Sequence, residues 1–481
     1  MTLRPGSGPR HRLSCLLCAI VGGACHTVGP DYAPPRPALP PSWSSPAPAG
    51  EADLDRWWSV FGDPELEAWI ERARGANPAL AGALAHLHEA RALRHGSRAS
   101  RRPEVDVDAS ATRRRRSSQA FSGGPFTQSL RADLYDLGFD ARWELDLFGG
   151  LRRGVEAADA DLAAAEEELR DVLVSISGDV AREYVELCGR SRELGIVQET
   201  LASIEELRSI VQERVDSGLS SELDLSRVVA LLAENRARVP ELEAEIQNHG
   251  HALAVLAGAA PETIPAARAA PAAIPAARAL PSAGVPAELL RRRPDLRRAE
   301  RELAAATARI GIATADLYPR LSLTGSYGWL GTRGEQIFES SSQQGSIGPS
   351  LHWPLFDAGR VRARIAAEEA RTEQALARFQ GTVLDAMREV EDSLASLSAQ
   401  TERRASLEQA VAAQERALEL ASALHSAGLA DFLTVIDVER ELLAAREELA
   451  RSETEHSVQV IALCKALGGG WDAGAASSAG S

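Results

Sequence analysis

With 481 residues, 44% of them hydrophobic but only 5% aromatic, the chain is long enough for two or three ordinary domains and poor in material for an aromatic-rich core. A formal charge of −15 excludes a nucleic-acid binder, because phosphates demand a basic face. Ala, Leu, Glu and Arg dominate, which is the composition of long helices and coiled coils. The one dense basic run is Arg113 to Arg116, and Lys465 is the only lysine.

Residues 1–24 read as a secretory signal. Arg4, Arg10 and Arg12 form a positive start, and Leu13 to Ala24 is a short apolar stretch ending in small residues. That stretch is too short for a spanning helix, and no other apolar run reaches the required length of about 18 residues. A membrane crossing by this chain must therefore use strands. Of the five cysteines, Cys15 and Cys18 lie in the signal and Cys188 and Cys464 in separate helical segments. Such a dispersed, odd set makes neither a disulfide framework nor a metal site. Cys25 follows Gly22-Gly23-Ala24, which suits thioether lipidation by a bacterial lipoprotein pathway, although Gly22 stands where Leu is usual. Ordinary cleavage beside a chance cysteine is the alternative. The mature chain would open with a lipidated, Pro-rich tether over residues 25–62, extended by its prolines.

A first block is expected over residues 63–260. It opens with a helix from about Asp63 to Arg101, interrupted near Pro78. Val105, Val107 and Ala109 then alternate with Glu104, Asp106, Asp108 and Ser110. After a polar loop, Tyr135, Leu137, Phe139, Ala141 and Trp143 alternate with Asp136, Gly138, Asp140, Arg142 and Glu144. Period-2 alternation predicts strands with one apolar and one polar face. From Gly150 the period changes. Leu194, Val197, Leu201, Ile204, Val211 and Val215 keep 3-4 spacing up to Ser217-Gly218, with Arg208 the only break, which predicts a helix of about 66 residues, or about 100 Å. A second heptad run, from Leu225 to Leu256, contains Pro240, which should kink it or mark a joint.

An Ala/Pro linker covers residues 261–285, where Ile264-Pro-Ala-Ala-Arg-Ala recurs at Ile274. The pattern then returns over residues 286–468, before a flexible tail at 469–481. Pro78 and Pro294 are 216 residues apart, as are Pro103 and Pro319. Gly218 and Gly428 are 210 apart, as are Leu253 and Leu463. Two tandem copies of helix, hairpin, long helix, turn and helix are expected. In an antiparallel bundle two short helices would stack to match each long one, with Gly218 and Gly428 at one tip.

The expected fold class is an α+β membrane protein. Four strands cannot close a transmembrane barrel, which needs at least about 8, and an open sheet exposes edges that lipid does not tolerate. Two copies would supply 8 strands and three would supply 12. A lumen needs more than about 8, so a trimer with a 12-stranded barrel and a helical periplasmic barrel is expected. Phe121, Phe126, Tyr135, Trp143, Tyr327, Trp329 and Trp353 fit an interfacial belt. Their alternative is the core of a small soluble β-domain.

Several motifs in order resemble the TolC family of outer-membrane efflux proteins, in its NodT-like lipoprotein branch that serves resistance-nodulation-division pumps. They are Cys25-His26-Thr27-Val28-Gly29-Pro30-Asp31-Tyr32 and Trp57-Trp58 with Phe61-Gly62-Asp63-Pro64. Trp143-Glu144-Leu145-Asp146-Leu147-Phe148-Gly149, Leu290-Arg291-Arg292-Arg293-Pro294-Asp295-Leu296 and Pro354-Leu355-Phe356-Asp357-Ala358-Gly359 follow. The resemblance implies a homotrimer in the bacterial outer membrane, lipid-anchored and extending into the periplasm. It also implies a periplasmic adaptor and an inner-membrane pump as partners, with small molecules exported through the channel. It further implies a periplasmic gate just beyond a helix-turn tip, carried here by Asp437 and Arg440, which share a helix face at i, i+3. An ordinary solvated helix pair is the alternative. The tips themselves, Gly218-Leu219 and Gly428-Leu429, are the expected adaptor-docking points. Arg227 stands in the first copy where the second has Asp437, and His425 stands near where members of that family often carry an aromatic.

His86, His88 and His95 invite a metal reading, but Ala92 stands where a zinc-protease motif begun at His88-Glu89 needs its second histidine. No phosphate loop, nucleophile elbow or zinc spacing is present, so no catalytic residue, metal or cofactor is expected. Other readings kept open are the duct of a type I protein secretion system, a soluble periplasmic coiled-coil scaffold and, last, an enzyme.

Overall fold

The computed structural model describes residues 27–46, 48, 50, 53–115, 131–263 and 273–471. Cys15, Cys18, Cys25, Arg116, Phe121, Phe126 and the first copy of the Ile-Pro-Ala-Ala-Arg-Ala repeat lie outside these residues, as do the signal and nearly all of the tail. Among the described residues the α-helices are α1 (Pro64–Ala76), α2 (Pro78–Ala99), α3 (Gly150–Asp216), α4 (Glu222–Leu256), α5 (Pro286–Arg292), α6 (Pro294–Ala315), α7 (Arg360–Ser426) and α8 (Phe432–Ala466). The strands are β1 (Glu104–Arg115), β2 (Arg131–Leu145), β3 (Arg320–Gly331) and β4 (Gln343–His352). No described helix is long and apolar enough to cross a membrane.

The chain divides into two compact units that cut across the two blocks expected from the sequence. One holds the described parts of residues 1–35, 87–165 and 299–379, and therefore all four strands. The other holds those of 36–86, 166–298 and 380–481.

In the first unit the strands form one antiparallel sheet in the order β1-β2-β3-β4. Glu104 lies opposite Arg142, Trp143 opposite Leu323, and Leu321 opposite Leu351. Because directly opposed residues share a face, the period-2 pattern carries across all four strands. One face bears Val105, Val107, Leu137, Phe139, Trp143, Leu323, Tyr327, Trp329, Ile347 and Leu351. The other bears Glu104, Asp106, Asp108, Asp136, Asp140, Arg142, Ser326 and Ser346. Beside the sheet, Leu303, Ala306 and Ala375 pack into a small core that Tyr32 covers.

The second unit is helical. Asp63 caps α1 by accepting from the Glu65 and Leu66 amides, and also accepts from the Tyr184 hydroxyl at 3.0 Å. The interruption expected near Pro78 is Asn77, whose side chain accepts from the Ala79 amide and donates to the Leu256 carbonyl, both at 2.8 Å. Trp57, Trp58 and Phe61 sit in a 3-10 turn and are buried with Leu66, Trp69 and Ile70. The 3-4 stripe of α3 is a true packing seam. Ile204 and Val211 are buried against Val228, Leu231, Leu232, Phe432 and Ile436, with Leu201 and Val215 alongside. Pro240 lies inside one continuous α4 and does not break it. At about 1.5 Å per residue, α3 and α7, each of 67 residues, are about 100 Å long.

Candidate functional site

The sheet has the chemistry of a wall between lipid and water. Its strands hold 12, 15, 12 and 10 residues, and a membrane-crossing strand needs about 9–11. On the apolar face Val105, Val107, Ile347 and Leu351 are all more than 60% exposed, an arrangement that water alone would penalise. Trp143 and Trp353 mark the foot of the sheet, donating from Nε1 to the carbonyls of Arg101 and Leu317, each at 3.0 Å. Tyr327, Trp329 and Phe338 form a second aromatic group, edge to face at 5.6 and 5.7 Å, toward the far end. Tyr135 and Trp143 are separated by about 27 Å of strand at ~3.4 Å per residue, close to the ~25 Å apolar band of outer-membrane barrels. On the polar face Asp106 stands directly opposite Asp140, a like-charge pairing that only a wet environment tolerates.

At the foot of the sheet the chain's first described residues are clamped. Val28 donates its amide to the Phe148 carbonyl at 3.1 Å. Arg153, near the start of α3, donates to the carbonyls of Val28 and Gly29 and to Asp31 and Glu156. Its side chain is only 3% exposed. Burial works against the guanidinium charge, but Glu156 and Asp31 outweigh it and hold the pKa above the ordinary arginine value. Sequence reading missed this clamp, because its partners lie more than a hundred residues apart.

The two helix turns expected at Gly218 and Gly428 are both present in the helical unit. Gly218 and Gly428 have φ of +74° and +71°, which favours glycine. The following amides, Leu219 and Leu429, donate back to the carbonyls of Arg214 and Leu424. Both leucines point outward, 71% and 77% exposed. The tips differ in their stitching. Ser221 and Asp224 make a full capping box at the first, which holds the Asp224 carboxyl below its usual range, whereas Asp431 makes no side-chain cap at the second. His425 joins them. Its Nδ1 lies 3.2 Å from the Ala430 carbonyl and its Nε2 3.2 Å from the Arg214 guanidinium, so Nδ1–H donates and Nε2 accepts. Phe432 packs against the same ring at 5.4 Å.

Asp437 and Arg440 both lie exposed on α8. They pair neither with each other nor with any described residue, so their charges are free for a surface outside this chain. Of His86, His88 and His95, His86 contacts Glu168 at 2.8 Å, and no metal-binding cluster occurs among the described residues.

A family profile described as "Outer membrane efflux protein" matches residues 69–259 and 285–469. The chain is 32% identical over 472 residues to the outer membrane protein OprJ of Pseudomonas aeruginosa, covering 97% of each. It is 33% identical over 470 residues to the pyoverdine export outer membrane protein OpmQ of Pseudomonas putida, covering 97% of this chain and 98% of that one. The solved structure of the outer-membrane channel OprN superposes with a TM-score of 0.84 at 38% identity, over 92% of this chain and 99% of OprN. Amphipathic strands, long helices, paired glycine turns and these full-length likenesses agree, and the chain belongs to the outer membrane efflux protein family.

Proposed function

We propose that three copies of this chain close a 12-stranded barrel in the outer membrane, continued by a helical tunnel in the periplasm, as the exit duct of a tripartite efflux system. The observation that carries this reading is the four-stranded sheet with one apolar face, one polar face and two edges that no described strand covers. Such edges are untenable in lipid unless another copy pairs with them. The same reading takes residues 63–260 and 286–468 as tandem copies of one unit, and residues 261–285 as the linker between them.

Cys25 is the proposed lipid attachment. Val28 is held at the foot of β2, and three extended residues reach only about 10 Å, so acyl chains on Cys25 would enter the membrane beside the barrel's base. Gly218-Leu219 and Gly428-Leu429 are the proposed docking points for a periplasmic adaptor, which joins the duct to an inner-membrane pump of the resistance-nodulation-division class. Asp437 and Arg440 are proposed to constrict the periplasmic end through contacts between copies. No step of such transport needs a cofactor or a covalent intermediate, so the chain acts as a conduit and not as an enzyme.

Native mass spectrometry in detergent, with single-channel recording in planar bilayers, tests the reading. Trimers that conduct are expected. A stable monomer without conductance would overturn it.

A further inference from the structure

The one dense basic run of the sequence begins at the far end of β1, and the pleat divides it between the two faces of the sheet. Along the apolar face β1 reads Val105, Val107, Ala109 and Ala111, then Arg113 and Arg115. On β2 the same face runs from Trp143 through Ala141, Phe139 and Leu137 to Tyr135, then to Asp133. Tyr135 lies opposite Ala111, Asp133 opposite Arg113, and the register continues to Arg131 opposite Arg115. Arg114 falls on the polar face. Positions 216 residues beyond Arg113 and Arg115 are Trp329 and Gly331, so the charge belongs to the first hairpin alone.

Positive charge is left over at this rim. Arg113 donates from Nε and Nη2 to the two oxygens of Asp133, at 2.5 and 2.8 Å, and so occupies the acid. Arg115 is exposed and meets no acid among the described residues. Three arginines against one aspartate leave a surplus of two positive charges. Their height decides what they meet. In the barrel reading, on which this inference rests, Val28 stands at the foot of the sheet and Arg115 at the opposite, external rim. Strands tilted by about 40° climb about 2.6 Å per residue. Arg113 therefore stands about 5 Å, and Arg115 about 10 Å, above the level of Tyr135. Headgroup layers add about 5–8 Å to each side of the ~30 Å hydrocarbon core, so these positions face headgroups and not acyl chains.

We propose that Arg113, Arg115 and Arg131 bind a lipid-borne phosphate monoester in the outer leaflet, one for each chain. Guanidinium forks match phosphate oxygens two at a time, and basic clusters at a membrane surface hold anionic headgroups in this way. The surplus of two positive charges matches a phosphate monoester, which carries about −1.5 to −2 at neutral pH, better than a phosphodiester, which carries a single charge. All three arginines come from one chain, so the site is complete without a neighbouring copy.

Native mass spectrometry of the full-length protein, delipidated in detergent and then exposed to one lipid at a time, tests the site. The probes are a monophosphorylated glucosamine lipid, phosphatidylglycerol and phosphatidylcholine at equal concentration. The parent should retain up to three monoester lipids per trimer, phosphatidylglycerol at least tenfold less, and phosphatidylcholine only at background. Arg115→Gln with Arg131→Gln should lower retention of the monoester lipid at least tenfold in intact trimers. Arg114→Gln, on the polar face, should retain it as the parent does. Asp133→Asn frees Arg113 and should raise retention, a change that misfolding would not produce. Equal retention by the parent and the double variant, or an equal loss in Arg114→Gln, overturns the site. Phosphatidylglycerol retained as well as the monoester lipid overturns the monoester as its ligand. A monomer that binds the lipid and loses it on the double substitution overturns the trimer and leaves the site standing. A monomer that retains none overturns both.

Discussion

Arg153 holds Asp31 at 2.7 Å from a side chain that is 3% exposed, although Asp31 itself is 89% exposed. The asymmetry makes the arginine the structural partner. Arg153 also donates to two carbonyls of the N-terminal segment, so its loss frees the segment and leaves two partly buried hydrogen bonds unmade. Arg153→Ala should cost about 1–3 kcal/mol, as for removing a charged donor from its carbonyl acceptors, and Asp31→Ala about 0.5–1 kcal/mol, as for an exposed pair. Hydrogen exchange at residues 28–32, read with thermal unfolding, separates them. Equal protection loss in both variants would contradict the assignment.

The glycines make a second contrast. A Cβ on Gly29 would lie 2.4 Å from the Gly311 Cα, backbone against backbone, with φ already at +88°. A Cβ on Gly428 meets nothing within 4 Å. Gly428→Ala should therefore cost only the left-handed backbone penalty of about 1–2 kcal/mol. Gly29→Ala should expel the N-terminal segment from its seat and expose residues 28–32 to limited proteolysis, which Gly428→Ala should leave unchanged.

Much of this architecture is legible in residue order, for identifiable reasons. Strict alternation from Tyr135 to Trp143 admits only a two-faced strand, and 3-4 spacing up to Val215, broken only at Arg208, admits only a long helix. Gly218 and Gly428 are legible because a left-handed turn excludes most other residues. What could not be read was long-range polar pairing. Nothing near Arg153 marks Asp31 as its partner, and nothing near His425 points to Arg214, since such pairs are set by packing. Pro240 marks no joint, since α4 runs through it. The register of the sheet was equally hidden, because alternation assigns faces but not opposites.

Acid should loosen the helical unit at one defined contact. His249 Nδ1 lies 2.8 Å from Glu183. The hydrogen bond from His249 depresses the Glu183 carboxyl below its ordinary 4.5, against the opposing effect of burial, with Arg182 helping. A depressed carboxylate contributes stability that is present above its unfolded pKa and lost as pH falls through its folded one. His249→Ala should thus lower the melting temperature at pH 6–7 by the equivalent of about 1 kcal/mol. The gap from the parent protein should close as pH drops below about 4. Glu186, which burial pushes upward, acts oppositely, so the measured quantity is the difference between parent and variant. A gap that persists undiminished at pH 3 would show that Glu183 is not its source.

The last prediction concerns the periplasmic end. Asp437 and Arg440 are exposed and have no partner among the described residues, so the constriction proposed for them comes from contacts between copies. Exposed charge pairs contribute about 0.2–1 kcal/mol each, and three of them sum to a few kcal/mol at most. That is small enough for an adaptor docking on the nearby Leu219 and Leu429 tips to overcome, and large enough to hold an undocked channel shut. Replacing both residues with Ala should raise single-channel conductance in planar bilayers while trimers still form. High salt should raise the conductance of the parent channel part of the way, because screening weakens exposed pairs, and should add little to the double variant. Leu219→Ser with Leu429→Ser should leave conductance unchanged while removing adaptor binding, which separates the docking tips from the constriction. If the Asp437 and Arg440 double variant conducts like the parent at both low and high salt, the constriction belongs to other residues.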